Sequence, residues 1–385
     1  MRRVLIVTAL VGFIRSFLMS DIATLLEMGY EVHCAANSHH PGSDGAVELL
    51  DNSGVIFHQV DFSSSKPISQ ESYKAFAELK ELRNSIDFDL IHCHTPIAGA
   101  IARAVFHKAR NKGAVVLYTT HGFYFHKHSG RKSWLIFRSI EDFFSRYTDI
   151  VITINHEDYE NARRMHCKDV RYIPGVGVDI DCFHNAKVDV AKYRNQLGLS
   201  KKDFVVLAVG ELSKRKNHRV VIEALAQCDI GNAVFVICGN AIANPEVKGE
   251  LETLAKSLGV DVRFFGLRKD VPQICKCADI GVLPSLREGL GLAGIEMLAS
   301  GLPLIGSNVQ GIPDYLVDGV NGFLCDPTDS RSFAKAISQL MDAKLRSMFS
   351  SRGYESVRGF SKAKSELAMR KIYQKANSLV GGSFK

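Results

Sequence analysis

Short apolar segments recur along the chain, and each is followed by a segment with helical periodicity. Examples are VLIVT at 4–8, FVVLAVG at 204–210, AVFVICG at 233–239 and DIGVLP at 279–284. Apolar runs of this length are typical of strands that are buried on both faces of a parallel sheet. Their alternation with helices predicts an α/β fold of doubly wound sheets, whose ligands bind at the carboxyl ends of the strands.

The alternation breaks at residues 183–202, which carry no long apolar strand. Because 385 residues exceed one ordinary hydrophobic core, we predict two Rossmann-like domains at 1–182 and 203–360, with a linker at 183–202 and a cleft between the domains. No apolar run is long enough to cross a bilayer. The start, MRRVLIVTALVGFI, lacks a signal-peptide cleavage site, so it is predicted to be the first strand. Nine cysteines without a CxxC pair indicate reduced thiols and a cytoplasmic protein.

A glycine-containing loop with two carboxylates follows the strand at 279–284, within PSLREGLGLAGIEMLASG at 284–301. Gly289 and Gly291 allow close approach of the backbone to a ligand, and the helix N-terminus behind them suits a phosphate. Glu288 and Glu296 fit beside a phosphate if each reaches past it to a neutral hydroxyl. A nucleotide sugar has a ribose and a hexose on either side of its diphosphate. In the alternative interpretation, the first glutamate complements the helix dipole and the second is solvated.

Three consecutive cations, Lys214, Arg215 and Lys216, stand at the end of the first strand of the second domain. The helix dipole disfavours cations at a helix N-terminus, so contact with a diphosphate is favoured over a solvated charge run. In the first domain, His121 directly follows the strand AVVLYTT. Its place at the edge where a doubly wound sheet binds ligands favours a functional role.

His92 and His94 project to one side of a predicted strand and are interpreted as structural histidines. A zinc site there would need a third ligand, and the sequence nominates none. No Asp-x-Asp pair lies in a loop suited to a divalent cation on a diphosphate.

The net charge of +7 is concentrated in two regions. Residues 101–150 contain nine Lys and Arg against three Asp and Glu, and residues 351–385 contain eight against two. Within the first region, aromatic rings alternate with cations, which is typical of a segment at an anionic membrane surface. Single-stranded nucleic acid is disfavoured, because no RNA-binding signature accompanies the mixture. In the alternative interpretation of this aromatic and basic region, it is a helix with one face in the core, and that face includes Phe137, Phe143 and Phe144. The residues predicted to contact acceptor or membrane are Phe123, Tyr124, Lys127, Arg131, Lys132 and Trp134.

The ordered motifs of the chain resemble those of a known family. They are THGFYFHK, DIVITINHEDYENAR, VGELSKRKN, VFVICGN, VRFFGLRKDVPQICKCADIGVLPS, REGLGLAGIEMLASGLPLIGS and GIPDYLVDGVNGFLCDPTD. With Glu288 and Glu296 at the family's paired spacing, the chain resembles the retaining glycosyltransferases of family 4, which have the GT-B fold. It is most similar to the branch that builds capsular polysaccharide, exopolysaccharide or teichuronic acid.

The resemblance implies a nucleotide-sugar donor, with uridine as the base, and transfer with retention of anomeric configuration. It implies no metal ion and no cofactor. The catalytic residues would be His121 near the reacting centre, Glu288 on the hydroxyls of the transferred sugar and Lys216 on the diphosphate. The implied donor contacts are Gly12, Arg215, Lys216, Gly239, Gly266, Leu267, Arg268, Glu288, Gly289, Leu290, Gly291, Leu292 and Glu296, the last of these on the ribose.

The sequence departs from the family pattern at two positions. Glu211 replaces a common arginine, which leaves Lys214 and Arg215 as alternatives for the second phosphate contact. Gly12 replaces a common Gly-Gly pair.

In this fold the last helix, 361–385, crosses back to the first domain, so both basic regions would lie on one half of the molecule. The implied partners are a lipid-linked glycan acceptor and the anionic inner face of the cell membrane, with peripheral association from the cytoplasm. Alternatives are a sugar-nucleotide epimerase or hydrolase on the same fold, or a non-catalytic nucleotide-sugar-binding partner.

Overall fold

The computed structural model describes residues 1–40, 43–63, 69–167, 169–241 and 244–381. The chain divides into two compact units. The first unit is Met1–Gly177 with Ala363–Lys385, and the second is Val178–Lys362.

Thirteen strands and sixteen α-helices alternate along the described residues. The strands are β1 Arg2–Leu10, β2 Tyr30–Asn37, β3 Ile56–Gln59, β4 Leu90–His94, β5 Val115–Thr119, β6 Ile150–Thr153, β7 Asp169–Tyr172, β8 Phe204–Val209, β9 Ala233–Cys238, β10 Asp261–Gly266, β11 Ile280–Leu283, β12 Leu304–Ser307 and β13 Gly322–Cys325. The helices are α1 Val11–Phe17, α2 Met19–Glu27, α3 Ala46–Asn52, α4 Gln70–Ser85, α5 Pro96–Phe106, α6 Arg131–Ser145, α7 His156–Ala162, α8 Ile180–His184, α9 Val190–Gln196, α10 His218–Leu225, α11 Pro245–Leu258, α12 Val271–Cys277, α13 Leu292–Ala299, α14 Ser330–Gln339, α15 Ala343–Val357 and α16 Lys362–Leu379. Short 3₁₀ helices lie at Ala109–Lys112, Lys214–Lys216, Ile312–Asp314 and Arg358–Phe360.

Each unit contains one parallel sheet. The order in the first unit is β3-β2-β1-β4-β5-β6-β7, and in the second it is β10-β9-β8-β11-β12-β13. Central strands such as β4, β5 and β11 are buried along their whole length, as apolar runs of this kind predict. In both sheets the strand order reverses beside the first strand, β1 or β8, which is the topology of a doubly wound fold. The predicted α/β class with two Rossmann-like domains is therefore confirmed.

Residues 183–202, predicted as a linker, instead include the end of α8 and all of α9 and belong to the second unit. Arg194 holds α9 in place: its Nε donates to the carbonyl of Cys277 at 2.8 Å, and its Nη2 lies 2.8 Å from Asp279 Oδ2. The hydroxyl of Tyr193 donates to Asp270. These contacts join residues far apart in sequence, so local composition did not reveal them.

The C-terminal helix α16 packs on the first unit, as predicted. Tyr373 is fully buried, and its hydroxyl lies 2.9 Å from Nδ1 of His92 on β4. Lys375 forms an ion pair with Asp169 of β7. None of the described helices combines the length and the apolar character needed to span a membrane.

Candidate active site

The loop between β11 and α13 contains the glycines that the sequence singled out. Gly291 caps the N-terminus of α13 with a left-handed backbone, φ +79°. The Tyr315 hydroxyl donates to the Gly291 carbonyl at 3.0 Å, and a Cβ on Gly294 would overlap that hydroxyl. The loop is therefore held from one side by a buried tyrosine that sequence reasoning had not singled out.

Neighbouring residues fix the rest of this loop. A Cβ on Gly311 would overlap the carbonyl oxygen of Gly289, so the two backbones approach as closely as glycine allows. Leu290 is buried and anchors the loop to the core, while Gly289 and Leu292 are partly exposed. The N-terminus of α13 thus stands behind a closely packed glycine loop, which is the arrangement that binds phosphate in many proteins.

Glu288 is a buried acidic residue that contacts two cations. It is only 7% exposed and forms an ion pair with Lys216 Nζ. Its Oε1 lies 3.4 Å from Arg215 Nη1 and accepts a hydrogen bond from Ser285 Oγ at 2.8 Å. Burial raises the pKa of this carboxyl, but Lys216 and Arg215 more than offset that effect, so its pKa lies below the ordinary value. Glu288 is therefore an ionised carboxylate in a buried setting.

The turn with the three cations is attached to the loop that carries Glu288. Leu286 N–H donates to the Arg215 carbonyl at 2.8 Å. Asn217 has a left-handed backbone, φ +53°, and its amide donates to the carbonyls of Pro284 at 3.1 Å and Pro327 at 2.8 Å. Local sequence does not indicate this role of Asn217, because its partners are remote in the chain.

Of the two alternatives for a second cation, the structure brings Arg215 to Glu288. Arg215 Nη2 also lies 2.9 Å from Glu211 Oε1, so the unusual Glu211 is paired within the same cluster. Lys214 instead lies 3.7 Å from Glu250, with a side chain that is 74% exposed. A phosphate contact by Arg215 stays a prediction.

Glu296 lies in α13, the helix that follows the glycine loop. Burial raises the pKa of its carboxyl, and the charge of Lys216 opposes that rise in part. Glu296 takes part in none of the ion pairs found among the described residues. Glu296 is partly buried, and a carboxyl of this kind suits hydrogen bonds to neutral hydroxyl groups.

Gly239 has a packing role. A Cβ there would overlap the carbonyl oxygen of Gly210, so the ends of β8 and β9 come together only with glycine at this position. The predicted donor contact of Gly239 is compatible with this role, since both require an uncovered backbone.

The predicted base-binding residues follow β10. Gly266 has a left-handed backbone, φ +66°, and Leu267 is 77% exposed. Arg268 Nη2 lies 2.6 Å from Asp270 Oδ2, and Asp270 also accepts from Tyr193 of α9. Contact of these residues with a base stays a prediction.

In the first unit, His121 lies two residues after β5 in a cluster of rings. Its Nε2 is 3.1 Å from His94 Nδ1, and its ring contacts Phe13 edge-on, with centroids 4.8 Å apart. Burial lowers the pKa of His121 to about 4, so the imidazole is neutral at physiological pH. Gly12 precedes Phe13 in α1, so the structure brings these two predicted residues to the same end of the first sheet.

The prediction that Phe123 lies at a membrane surface is wrong. Phe123 is 2% exposed and stacks on buried Phe125, with ring centroids 4.7 Å apart. Trp134 is partly buried and contacts Phe125 edge-on. The chain after β5 turns into the core beneath α6, and composition alone could not show this. Tyr124, in contrast, is 40% exposed.

Helix α6 carries an exposed apolar stripe. Its members are Leu135, 60% exposed, Ile136, 59%, Ile140, 38%, and Phe143, 50%. Spacings of four and three residues place Ile136, Ile140 and Phe143 on one face, and Leu135 lies at the edge of that face. The interpretation of Phe143 as a core residue is therefore wrong. Predicted cations that are exposed in or near α6 are Lys127, Arg131 and Lys132.

Comparison with known proteins agrees with this architecture. The family model described as Glycosyl transferases group 1 matches residues 189–356, and the model described as Glycosyltransferase Family 4 matches residues 22–181. The chain is 33% identical over 360 residues to EpsD of Bacillus subtilis, named a glycosyltransferase, with 90% of each chain covered. The chain belongs to the glycosyltransferases of group 1 and family 4, and it is a glycosyltransferase enzyme.

A second relative and two solved structures are also informative. The chain is 31% identical over 285 residues to the Escherichia coli UDP-Gal:alpha-D-GlcNAc-diphosphoundecaprenol alpha-1,3-galactosyltransferase, with 72% of each chain covered. Anabaena HepE in complex with UDP and glucose has a TM-score of 0.76 at 20% identity, covering 98% of this chain and 100% of that one. The glycosyltransferase WaaG has a TM-score of 0.70 at 18% identity, covering 98% and 99%. These likenesses show that the fold is GT-B.

Proposed function

We propose that this enzyme transfers a hexose or N-acetylhexosamine from a UDP-sugar to a lipid-linked glycan, with retention of anomeric configuration, in the synthesis of a cell-surface polysaccharide. The observation that carries the proposal is the buried Lys216–Glu288 ion pair beside the glycine loop of α13. A cation and a helix N-terminus suit a diphosphate, and a neighbouring carboxylate suits sugar hydroxyls, which supports the proposal.

Catalysis follows from the charges of this cluster. The leaving UDP carries a developing negative charge, which Lys216, Arg215 and the N-terminus of α13 stabilise. The acceptor oxygen attacks the anomeric carbon on the face that the phosphate leaves, and the phosphate oxygen takes the acceptor's proton. A C–O bond forms as the sugar–phosphate C–O bond breaks, so configuration is retained. No metal ion is required at the diphosphate, since protein cations neutralise it.

The remaining predicted residues bind the two sugars of the donor. Glu288 accepts hydrogen bonds from hydroxyls of the transferred sugar, and Glu296 does so from the ribose. His121, neutral and fixed by His94, offers one ring nitrogen to the transferred sugar.

Two features of the first unit support a lipid-linked acceptor. The exposed stripe of α6 is flanked by Lys and Arg, which suits an anionic lipid surface. Beside it, a cavity of about 190 Å³ is lined mainly by apolar groups, including Ile97, Phe123 and Ile140. The E. coli relative is named for a diphosphoundecaprenol-linked acceptor. We propose that the enzyme associates peripherally with the inner face of the cell membrane.

The donor proposal is tested by a thermal-shift screen with UDP, UDP-sugars and other nucleotide sugars, followed by turnover with the best donor. Glu296→Ala should weaken UDP-sugar binding, whereas the matched control Glu250→Ala, an exposed carboxylate, should not. Unchanged donor binding by Glu296→Ala would refute the ribose assignment. Release of UDP at the same rate without acceptor would indicate a hydrolase instead.

The membrane proposal is tested by co-sedimentation with vesicles of neutral or anionic lipid. Binding should require anionic lipid and should be lost in the double variant Leu135→Ser, Ile136→Ser. The control Leu258→Ser removes an exposed leucine from the second unit and should bind normally. Equal binding to neutral and anionic vesicles contradicts the proposal.

A further inference from the structure

Three potential metal ligands converge inside the first unit. His92 and His94 lie on the same face of β4, as alternate strand residues do, and Asp21 comes from α2. One nitrogen of each ring and a carboxylate oxygen of Asp21 all lie within 4.8 Å of one another. The third ligand, which the sequence could not nominate, is therefore supplied by a distant helix.

His94 is the member that lacks a full set of hydrogen bonds. It is 1% exposed, and its Nε2 has no hydrogen-bond partner among the described residues. Its other nitrogen, Nδ1, lies 3.1 Å from His121 Nε2. A buried ring nitrogen without a partner costs free energy, and a bound ion or water is a common reason for one.

His92 has the outer partner that ligating histidines usually have. Its Nε2 lies 2.7 Å from Thr119 Oγ1, which fixes the ring while Nδ1 faces the Tyr373 hydroxyl at 2.9 Å. Tyr373 also hydrogen-bonds Asp21. The contact with Thr119 is of the kind that orients a metal ligand and sets its tautomer. An ion on Nδ1 of His92 would replace the Tyr373 hydroxyl there, and that hydroxyl would keep its hydrogen bond to Asp21.

The space and the charges at the cluster fit a cation. A cavity of about 10 Å³ is lined by Asp21, His94, Thr119 and His121, which is about the room that one water or ion occupies. Glu366 lines the same cavity, so two carboxyl groups lie near it. No Lys or Arg pairs with Asp21 in the part of the chain that the structure describes.

We propose that Asp21, His92 and His94 bind a divalent transition-metal ion of the zinc class. Two imidazoles and a carboxylate are ligands that Zn²⁺ and Co²⁺ accept. Zinc–ligand distances of about 2 Å bring ligand atoms to about 4 Å or less from one another, so small side-chain rotations complete the site.

The ion would orient His121 through His94. With Nε2 of His94 on the metal, the proton of that ring must be on Nδ1, which then donates to His121 Nε2. His121 in turn carries its own proton on Nδ1. The metal is thus a positioning device in the first unit, separate from the diphosphate contacts of the second unit. Binding of the ion does not depend on the proposed substrate, whereas any effect of the ion on the transferred sugar rests on the proposed function of His121.

The test uses the full chain without a polyhistidine tag, stripped with a chelator and titrated with Co²⁺ and then Zn²⁺. Calorimetry should give one ion per chain, cobalt should show the visible absorption of a coordinated ion, and zinc should displace it. Asp21→Asn, which keeps the size of the side chain, and His94→Ala should each weaken binding at least about tenfold, since even outer-shell changes at metal sites cost 10- to 100-fold.

His166→Ala is the matched control, because His166 is a half-exposed histidine outside the cluster, and this variant should bind as the parent does. Histidine ¹⁵N NMR should show the tautomer of His121 becoming fixed when zinc is added. Circular dichroism establishes whether each variant is folded. If His94→Ala is unfolded, the binding measured for Asp21→Asn decides the outcome. Binding well below one ion per chain, or equal binding by Asp21→Asn and His166→Ala, overturns the proposal.

Discussion

Replacing Lys216 with Met tests whether the ion pair to Glu288 organises the second unit. Both side chains are largely buried, with 13% of Lys216 and 9% of Glu288 exposed. Removing one partner of a buried pair typically costs about 3–5 kcal/mol, because the other charge stays buried. Here Arg215 at 3.4 Å and Ser285 at 2.8 Å still contact Glu288. We therefore expect a loss below that range, about 2–3 kcal/mol.

The double variant separates electrostatics from packing. Glu288→Gln keeps the size of the side chain, and adding it to Lys216→Met removes both charges. The double variant should be more stable than the sum of the single losses predicts, by about 1–3 kcal/mol. Donor binding should be lost in all three variants. The parent's stability should also fall in acid as Glu288 is protonated, because its pKa is depressed by folding, and Lys216→Met should weaken that dependence.

Native-state hydrogen exchange of β8 and β11 measures this stability, since the single tryptophan, Trp134, lies in the first unit. If the stability losses of the two single variants sum to the loss of the double variant within about 0.5 kcal/mol, the two charges do not interact. A Lys216→Met variant as stable as the parent would refute the reasoning outright.

Three further predictions concern stability of the second unit. Gly239→Ala should cost about 3 kcal/mol or more in hydrogen exchange, because its Cβ would overlap the carbonyl oxygen of Gly210. Tyr315→Phe should cost about 1 kcal/mol and weaken UDP binding, since the hydrogen bond to Gly291 is lost; unchanged UDP binding would contradict the positioning role. His218 is buried and its pKa is lowered to about 3, so the unfolded chain binds the proton more readily. Stability should fall by up to about 1.4 kcal/mol per pH unit below about 6.5, and His218→Gln should flatten this slope in urea titrations.

The regular part of the fold is predictable from local sequence. Strands such as β8 and β11 are apolar runs bounded by polar residues, and burial on both faces requires that pattern. The loop after β11 is equally visible, because its glycines and Glu288 are adjacent in the chain. That Lys216 and Glu288 belong to the same site could be predicted only from the resemblance to a family, because the two residues are far apart in the chain.

What the sequence missed depends on contacts between distant residues. Phe123 and Phe143 are both aromatic residues near cations, yet one is in the core and the other is exposed. Which of them is buried depends on how α6 crosses the sheet, and no local pattern encodes that. Asp21 likewise has no signal of its own, since its neighbours His92 and His94 lie on another element.

The most direct test of the account is the stereochemistry of transfer. The enzyme should be incubated with the UDP-sugar that stabilises it most and a diphosphate-lipid-linked glycan, and the anomeric proton of the product should be observed by NMR. We predict an α-linked product from an α-linked donor, formed with Lys216 and Glu288 intact and lost in Glu288→Gln. A β-linked product, or full activity of Glu288→Gln, would contradict the proposed retaining mechanism.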